Sequence, residues 1–268
     1  DPDADRVGIM VRNREGDYVT ISGNQTGVLL LDYLIGARRR AGTMPENPVA
    51  LKTIVTTEMA RKVAEVNGVT CYDTFTGFKF MAEKKNELEE AGLGKVIFSY
   101  EESYGYMVGD YVRDKDAVTA SLLLTEMAAW YANQGMTLYD AICALFEKYG
   151  YYGEKTVNLV MPGLDGLAKM KALMASLREK PLDGIAGVAV TVRKDYLSGT
   201  RTCAETGHTE EMELRESNVL GYELADGTTV IVRPSGTEPK IKVYILANST
   251  SKPECEEKVQ KYAAWAEE

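Results

Sequence analysis

Apolar positions along this chain follow two regimes, and the change falls near residue 153. Before it, short apolar runs alternate with stretches spaced at helical period. Residues 7–12 and 18–22 predict two strands joined by a polar hairpin turn at 13–17. Val28, Leu31, Leu34 and Ile35 are helically spaced within residues 24–41, and Gly42 stops that helix. Its Arg38-Arg39-Arg40 run suits a helix C-terminus. Residues 43–48 hold two prolines and predict a linker. Strands then follow at 49–55, 69–73 and 95–100. They alternate with helices at 58–67, closed by Gly68, and 77–91, closed by Gly92. Two further helices are predicted at 117–133 and 138–149, separated by Gly135.

After residue 153 the rhythm is different. A strand at 155–161 leads to a helix at 167–177, and period-2 stretches follow at 186–193, 219–224, 228–233 and 240–247. Asp226-Gly227 is a hairpin-turn signal, and a helix at 253–266 closes the chain. The expected fold class is α/β: an open mixed, mostly parallel sheet with helices on both faces, plus a smaller α+β C-terminal domain. The expected divisions are 1–43, 44–152 and 153–268. In an open parallel sheet ligands bind beyond the carboxyl ends of the strands, here at 74–79 and 101–116.

The 268 residues are enough for about two domains with proper cores. Lys plus Arg is 31 and Asp plus Glu is 40, a net charge of −9. That balance argues against a nucleic-acid partner, which wants a basic face. It leaves room for a small phosphorylated ligand in a local basic pocket. No apolar run approaches the roughly 20 residues of a membrane span, so no membrane partner is expected. Cys71, Cys143, Cys203 and Cys255 are far apart and form no CxxC pair, which predicts reduced thiols in a cytoplasmic protein. His208, the only histidine, lies in a polar stretch and is expected to be a solvated loop residue. Trp130 and Trp265 are expected to pack on helices, and the tyrosine-rich 149–152 stretch between domains.

The densest chemistry is at Asp1-Pro2-Asp3-Ala4-Asp5-Arg6. Three carboxylates at alternate positions call for a hard cation, and Mg²⁺ accepts a few oxygen ligands and fills the rest with water or phosphate. Arg6 is a fixed fork suited to a phosphate on the same metal. An EF-hand would need glycine where Arg6 stands and glutamate where Arg12 stands, so that reading fails. An aspartyl-phosphate enzyme using Asp1 as nucleophile stays open, as does a solvated acidic tail. The loop also opens the chain, which makes the chain look like the back portion of a longer protein.

Three further motifs stand at strand ends. Arg233-Pro234-Ser235-Gly236-Thr237-Glu238-Pro239 brings a guanidinium, two hydroxyls and open backbone together, as a phosphate dianion requires; Lys240 and Lys242 add charge. Glu101-Glu102-Ser103-Tyr104-Gly105-Tyr106 sets a carboxylate and a hydroxyl two residues apart, able to bond adjacent hydroxyls of a sugar. Arg113-Asp114-Lys115-Asp116 precedes a long helix, with Asp116 a natural N-cap and Lys115 beside the sugar loop. Thr76-Gly77-Phe78-Lys79 lies on the same edge; its plain reading is a helix capped by Thr76.

Together, and in this order, these motifs resemble the α-D-phosphohexomutase superfamily, over nearly the whole chain. The Arg-Pro-Ser-Gly-Thr-Glu-Pro-Lys string and the Glu-Glu-Ser-Tyr-Gly loop are most similar to the phosphoglucomutase branch that includes phosphopentomutases. The resemblance implies that 1–43 is the tail of the family's second domain, 44–152 its third, sugar-binding domain, and 153–268 its fourth, phosphate-binding domain. It implies Mg²⁺ on Asp1, Asp3 and Asp5, and Arg6 reaching the phosphoryl group. Glu101 and Ser103 would bind the sugar's 3- and 4-hydroxyls, with Thr76 and Gly77 lining the site. Lys115 would lie near the substrate and take part in proton transfer. Arg233, Ser235, Gly236 and Thr237 would grip the phosphate that is not transferred. The implied reaction interconverts glucose 1-phosphate and glucose 6-phosphate through a phosphoserine enzyme and a sugar bisphosphate. The serine motif Thr-Ala-Ser-His-Asn-Pro is absent from the sequence, so its missing N-terminal domains become a necessary partner and the chain alone is expected to be inactive. A phosphomannomutase, a phosphopentomutase and a non-catalytic phosphosugar-binding module are the alternatives.

Overall fold

A computed structural model describes residues 1–163, 165–236 and 238–268. The chain divides into two compact units, Asp1–Gly150 and Tyr151–Glu268.

In the first unit a hairpin of β1 (Ile9–Arg12) and β2 (Tyr18–Ile21) leads into helix α1 (Gly23–Ala41). Ser22 and Gln25 form a capping box at the start of α1, with Ser22 Oγ accepting from Gln25 N at 3.2 Å and Gln25 Oε1 from Ser22 N at 3.0 Å. Gly42 ends the helix in the left-handed region, φ 66°, where a glycine pays no Cβ penalty. Leu29 and Leu30 are fully buried beside the expected Val28 and Leu31, so α1 is enclosed on more than one face. It packs on the helices and sheet that follow it.

That sheet is built from β3 (Pro48–Thr53), α2 (Met59–Val66), β4 (Thr70–Thr74), α3 (Phe78–Glu90), β5 (Lys95–Glu101) and β6 (Gly105–Met107). The strand order is β4-β3-β5-β6, parallel except for the antiparallel edge strand β6. Five consecutive residues of β3, Val49–Thr53, are buried, so both faces of the sheet are covered. Helices α4 (Ala117–Ala132) and α5 (Leu138–Tyr149) complete the unit. Trp130 packs edge-on against Tyr131, with Arg40 stacked 4.4 Å from its ring centre.

The second unit runs β7 (Tyr151–Val160), α6 (Gly166–Glu179), β8 (Gly184–Ile185), β9 (Val188–Asp195), β10 (Thr200–Cys203), β11 (Thr209–Glu211), β12 (Leu220–Leu224), β13 (Thr229–Pro234), β14 (Lys240–Ser249) and α7 (Lys252–Glu267). Its sheet is antiparallel, in the order β11-β10-β9-β12-β13-β14-β7, with β8 pairing β9. Met170 and Met174 of α6 and Tyr262, Ala263 and Ala266 of α7 bury one face of it, with Trp265 packed at the margin. Asp226-Gly227 makes the β12–β13 turn, as expected, with Gly227 at φ 83°.

The short strands β6, β8, β10 and β11 were not foreseen. They are two to four residues long, too short for a period-2 pattern, and exist by pairing with a neighbour. Thr76 does not cap α3: the N-cap is Gly77, at φ 115° and ψ 131°, a conformation that favours glycine. Tyr149 bonds to Asn67 and Asp32 in the first unit, and Tyr151 packs on Ala247, Cys255 and Val259 in the second. All four cysteines are free thiols. His208 is exposed beside Glu210. Among the described residues no helix is long and apolar enough to cross a membrane.

Candidate functional site

In the first unit three distant segments meet at Gly105. The β5–β6 hairpin pairs Glu101 with Gly105 across a turn of Glu102, Ser103 and Tyr104. Tyr104 takes a positive φ of 70°, costing on the order of 1 kcal/mol for a non-glycine residue. Residues 4–7 run alongside: Arg6 bridges Gly105, and Val7 N donates to Tyr104 O at 3.2 Å. The start of α4 closes the third side. Ala117 N donates to Ala4 O and Asp116 N to Tyr106 O, both at 3.1 Å. Asp116 caps α4 by accepting from Val118 N and Thr119 N at 3.0 and 3.3 Å. A Cβ on Gly105 would lie 2.8 Å from Lys115 Cδ, 2.8 Å from Phe78 Cε2 and 3.2 Å from Glu101 Cγ. Glycine is what lets these three side chains close round one point.

The polar groups on this edge are matched to one another. Ser103 Oγ donates to Glu101 Oε1 at 2.7 Å, so the carboxylate and hydroxyl act as a pair. Lys115 Nζ lies 2.9 Å from Asp5 Oδ2 and 5.6 Å from the centre of the Phe78 ring. Phe78 follows Gly77 and Thr76, which ties that segment to the same edge. The Lys115 hydrogen bond holds the Asp5 carboxyl below the usual carboxylate range; burial opposes this and Arg6 adds to it. Burial pushes the Lys115 ammonium down, but Asp5, Asp114 and Glu101 outweigh it, so its pKa is raised and it stays a cation.

The acidic loop is held by cations of its own chain. Arg6 pairs with Asp1 Oδ2 through Nη2 at 2.5 Å and Nε at 2.7 Å, while Asp3 is exposed. Among the described residues no three carboxylate, histidine or cysteine side chains converge as a ready ligand set. The donors nevertheless fit a hard cation in type. They are all carboxylate oxygens, and Asp5 Oδ1 is buried without a hydrogen bond, its contact to Arg6 Nε being a long 3.5 Å.

Glu102 braces this edge in a way the sequence did not reveal. Its carboxylate accepts from Thr53 Oγ1 at 3.3 Å and Thr56 Oγ1 at 3.2 Å, tying the hairpin turn to the loop after β3. That loop is held in turn by Lys52, fully buried, whose Nζ bonds to Thr53 O, Thr56 O, Glu58 at 2.6 Å and Asp73 at 2.9 Å. Arg61 completes the cluster with Glu58 at 2.9 Å and Asp73 at 2.5 Å. Burial pushes the Glu58 carboxyl up, but Lys52 and Arg61 outweigh it and bring it down to about 2. The available signal was a lysine inside the 49–55 run, which reads as a buried strand.

In the second unit the phosphate-type motif forms the β13–β14 hairpin loop. Arg233 and Lys242 are direct cross-strand partners, so two cationic side chains stand side by side at the end of the hairpin. Ser235 N donates to Lys240 O at 2.8 Å and Lys240 pairs with Glu238, closing the loop. Around Gly236 there is open space, so its backbone is accessible. Thr237 lies outside the described residues.

Comparison with known proteins agrees with this architecture. The family profile for phosphoglucomutase/phosphomannomutase, alpha/beta/alpha domain III, matches residues 22–149, and that for the C-terminal domain matches 157–254. The chain belongs to the phosphoglucomutase/phosphomannomutase family. It is 35% identical over 248 residues to a phosphoglucomutase of Staphylococcus haemolyticus, covering 92% of this chain and 44% of that protein. The fold matches the phosphoglucomutase parafusin of Paramecium with a TM-score of 0.65 at 18% identity, over 100% of this chain and 44% of that one. It also matches an Aspergillus fumigatus N-acetylphosphoglucosamine mutase, solved with GlcNAc-6P and magnesium (TM-score 0.52, 14% identity, 99% of this chain and 51% of that one). The chain thus spans under half the length of the curated relative.

Proposed function

We propose that this chain is the sugar- and phosphate-binding half of a cytoplasmic phosphohexomutase that interconverts glucose 1-phosphate and glucose 6-phosphate. A phosphoserine donates its phosphoryl group to the sugar monophosphate, the resulting bisphosphate reorients, and the second phosphate returns to the serine. The serine and its domain lie outside this chain. The observation that carries the reading is the Glu101–Ser103 pair, 2.7 Å apart, standing on the same Gly105 hub as Asp5, Arg6 and Lys115.

Each residue has a task the chemistry requires. Glu101 accepts from one ring hydroxyl while Ser103 bonds its neighbour, with Thr76 and Gly77 lining that face. Lys115, kept protonated, holds a proton at Nζ for the sugar oxygen that leaves phosphorus. Arg6 forks onto the transferring phosphoryl oxygens. Asp1, Asp3 and Asp5 would hold Mg²⁺, which when bound neutralises charge on that group. Arg233, Ser235, Gly236 and Thr237 grip the distal phosphate, so that a substrate bound either way round keeps one anchor. This is positioning and charge stabilisation, which dominate phosphoryl transfer.

Contacts to the 3- and 4-hydroxyls ignore C2, where glucose and mannose differ. Initial rates of the full-length protein on glucose 1-phosphate, mannose 1-phosphate and ribose 1-phosphate, with bisphosphate activator, rank the substrates. We expect glucose 1-phosphate to be fastest and the 268-residue chain alone to give no turnover. Phosphoglucomutase turnover by the isolated chain would overturn the division of labour.

A further inference from the structure

The turn that joins Glu101 to Gly105 consists of Glu102, Ser103 and Tyr104, and one of its side chains is committed elsewhere. Thr53 Oγ1 and Thr56 Oγ1 donate to Glu102 Oε2 at 3.3 and 3.2 Å. Both threonines are fully buried, in the loop that leaves β3. Lys52, also fully buried, donates to the carbonyls of the same two residues at 3.4 and 3.2 Å. The loop that receives Glu102 is therefore itself fixed.

The start of α1 closes the brace. A Cβ on Gly23 would stand 2.0 Å from Glu102 O and 2.9 Å from Tyr104 N, so helix and turn meet backbone to backbone. One residue on, buried Asn24 accepts through Oδ1 from Thr57 N at 3.0 Å, which ties α1 to the same loop after β3. Three segments thus hold one another: the helix start, the loop 53–57 and the turn 102–104. Within the turn Tyr104 sits at φ 70°. A non-glycine residue keeps such a conformation only where its surroundings over-determine it. A satisfied buried polar network rigidifies what it touches and specifies one arrangement. Position matters here, because a misplacement of about 1 Å in a group that holds substrate can cost on the order of 10² in rate.

We propose that Glu102 is a positioning residue for sugar recognition. Bonded to Thr53 and Thr56, it sets the turn so that Glu101 Oε1 and Ser103 Oγ, 2.7 Å apart, meet adjacent ring hydroxyls. It acts through its two neighbours and not on the sugar itself. The proposal rests on the assignment of Glu101 and Ser103 to the sugar. Thr53 Oγ1 and Thr56 Oγ1 are 2.8 Å apart and can bond each other, so loss of the carboxylate orphans neither hydroxyl. Glu102→Ala should therefore fold.

The test compares glucose 1-phosphate with 3,4-dideoxyglucose 1-phosphate in the full-length protein, with bisphosphate activator and phosphorus NMR to follow the product. In the parent, loss of the two hydroxyls should lower kcat/KM by at least about tenfold, the worth of one hydrogen bond to a charged group. Glu102→Ala should lower kcat/KM for glucose 1-phosphate by about tenfold, chiefly through KM, and that for the dideoxy sugar by less than about twofold. A displaced turn loses only hydroxyl contacts that exist, whereas a general loss of structure would penalise both sugars. Glu102→Gln keeps an oxygen that can accept from both threonines, and should return KM to within about twofold of the parent. Thr56→Val deletes one donor at nearly constant shape and should show the same preference at smaller size, a second reading that does not depend on Glu102→Ala. A parent that handles both sugars alike would remove the sugar contact, and the proposal with it. A parent that discriminates, with variants that lose nothing or lose equally on both sugars, would leave the sugar contact standing and overturn the positioning role of Glu102.

Discussion

Lys115 Nζ sits 2.9 Å from Asp5 Oδ2, joining the start of α4 to the acidic loop more than a hundred residues earlier in the chain. The contact stands on a backbone bond between the same two segments, Ala117 N to Ala4 O at 3.1 Å. The cation is therefore delivered to the loop by main-chain geometry and not by a flexible side chain alone.

If Lys115 holds the proton for the leaving sugar oxygen, Lys115→Met in the full-length protein should lower kcat by about 10²–10⁴ and leave KM within a few-fold. Steady-state rates with glucose 1-phosphate check this. An unchanged kcat would remove Lys115 from the chemistry.

Gly105→Ala should disturb the hub directly. The new methyl must displace Lys115, Phe78 and Glu101, all within 3.2 Å of it. Overpacking of this kind costs about 1–3 kcal/mol. Chemical denaturation should show that loss, and sugar-phosphate affinity should fall with it.

Arg233→Lys keeps the charge but loses the planar fork. The expected result is a KM for the sugar phosphate raised by at least about tenfold with kcat less affected, because a bidentate charged contact is lost. Equal kinetics for the two proteins would exclude bidentate phosphate recognition by this residue.

The Lys52–Glu58–Arg61–Asp73 cluster predicts an acid limb. Glu58 ionises near 2 in the folded chain against an ordinary 4.5. A carboxyl with a depressed folded pKa adds stability that is fully present above the unfolded value. That stability is lost as pH falls from about 4.5 toward about 2. Glu58→Gln should flatten the pH dependence of the melting temperature in that window. At neutral pH it should also cost about 1 kcal/mol, since Glu58 is partly exposed and Lys52 keeps Asp73 as a partner. A melting temperature with the same acid slope as the parent would count against the assignment.

Much of this was legible residue by residue. Ser22, Gln25 and Gly42 bracket α1 because caps act on neighbours within one turn. Asp116 and the Asp226-Gly227 turn work at the same range. The motif residues were legible because their side-chain chemistry is fixed by type. Glu102 was not. Nothing in a Glu-Glu pair says which carboxylate turns back to Thr53 and Thr56 and which stays with Ser103.

The amino-acid order by itself determined most of the local elements, the change from alternating strands and helices to runs of strands, and the inventory of carboxylates, hydroxyls and guanidinium groups, because propensity, capping and side-chain chemistry are short-ranged. Only the tertiary structure decided that Gly105 gathers Glu101, Phe78 and Lys115, that Lys115 in turn reaches Asp5, and that Lys52 props the loop holding Glu102. Those outcomes come from burial and pairing between residues far apart in the chain, where the free energy lies in packing that no local pattern encodes.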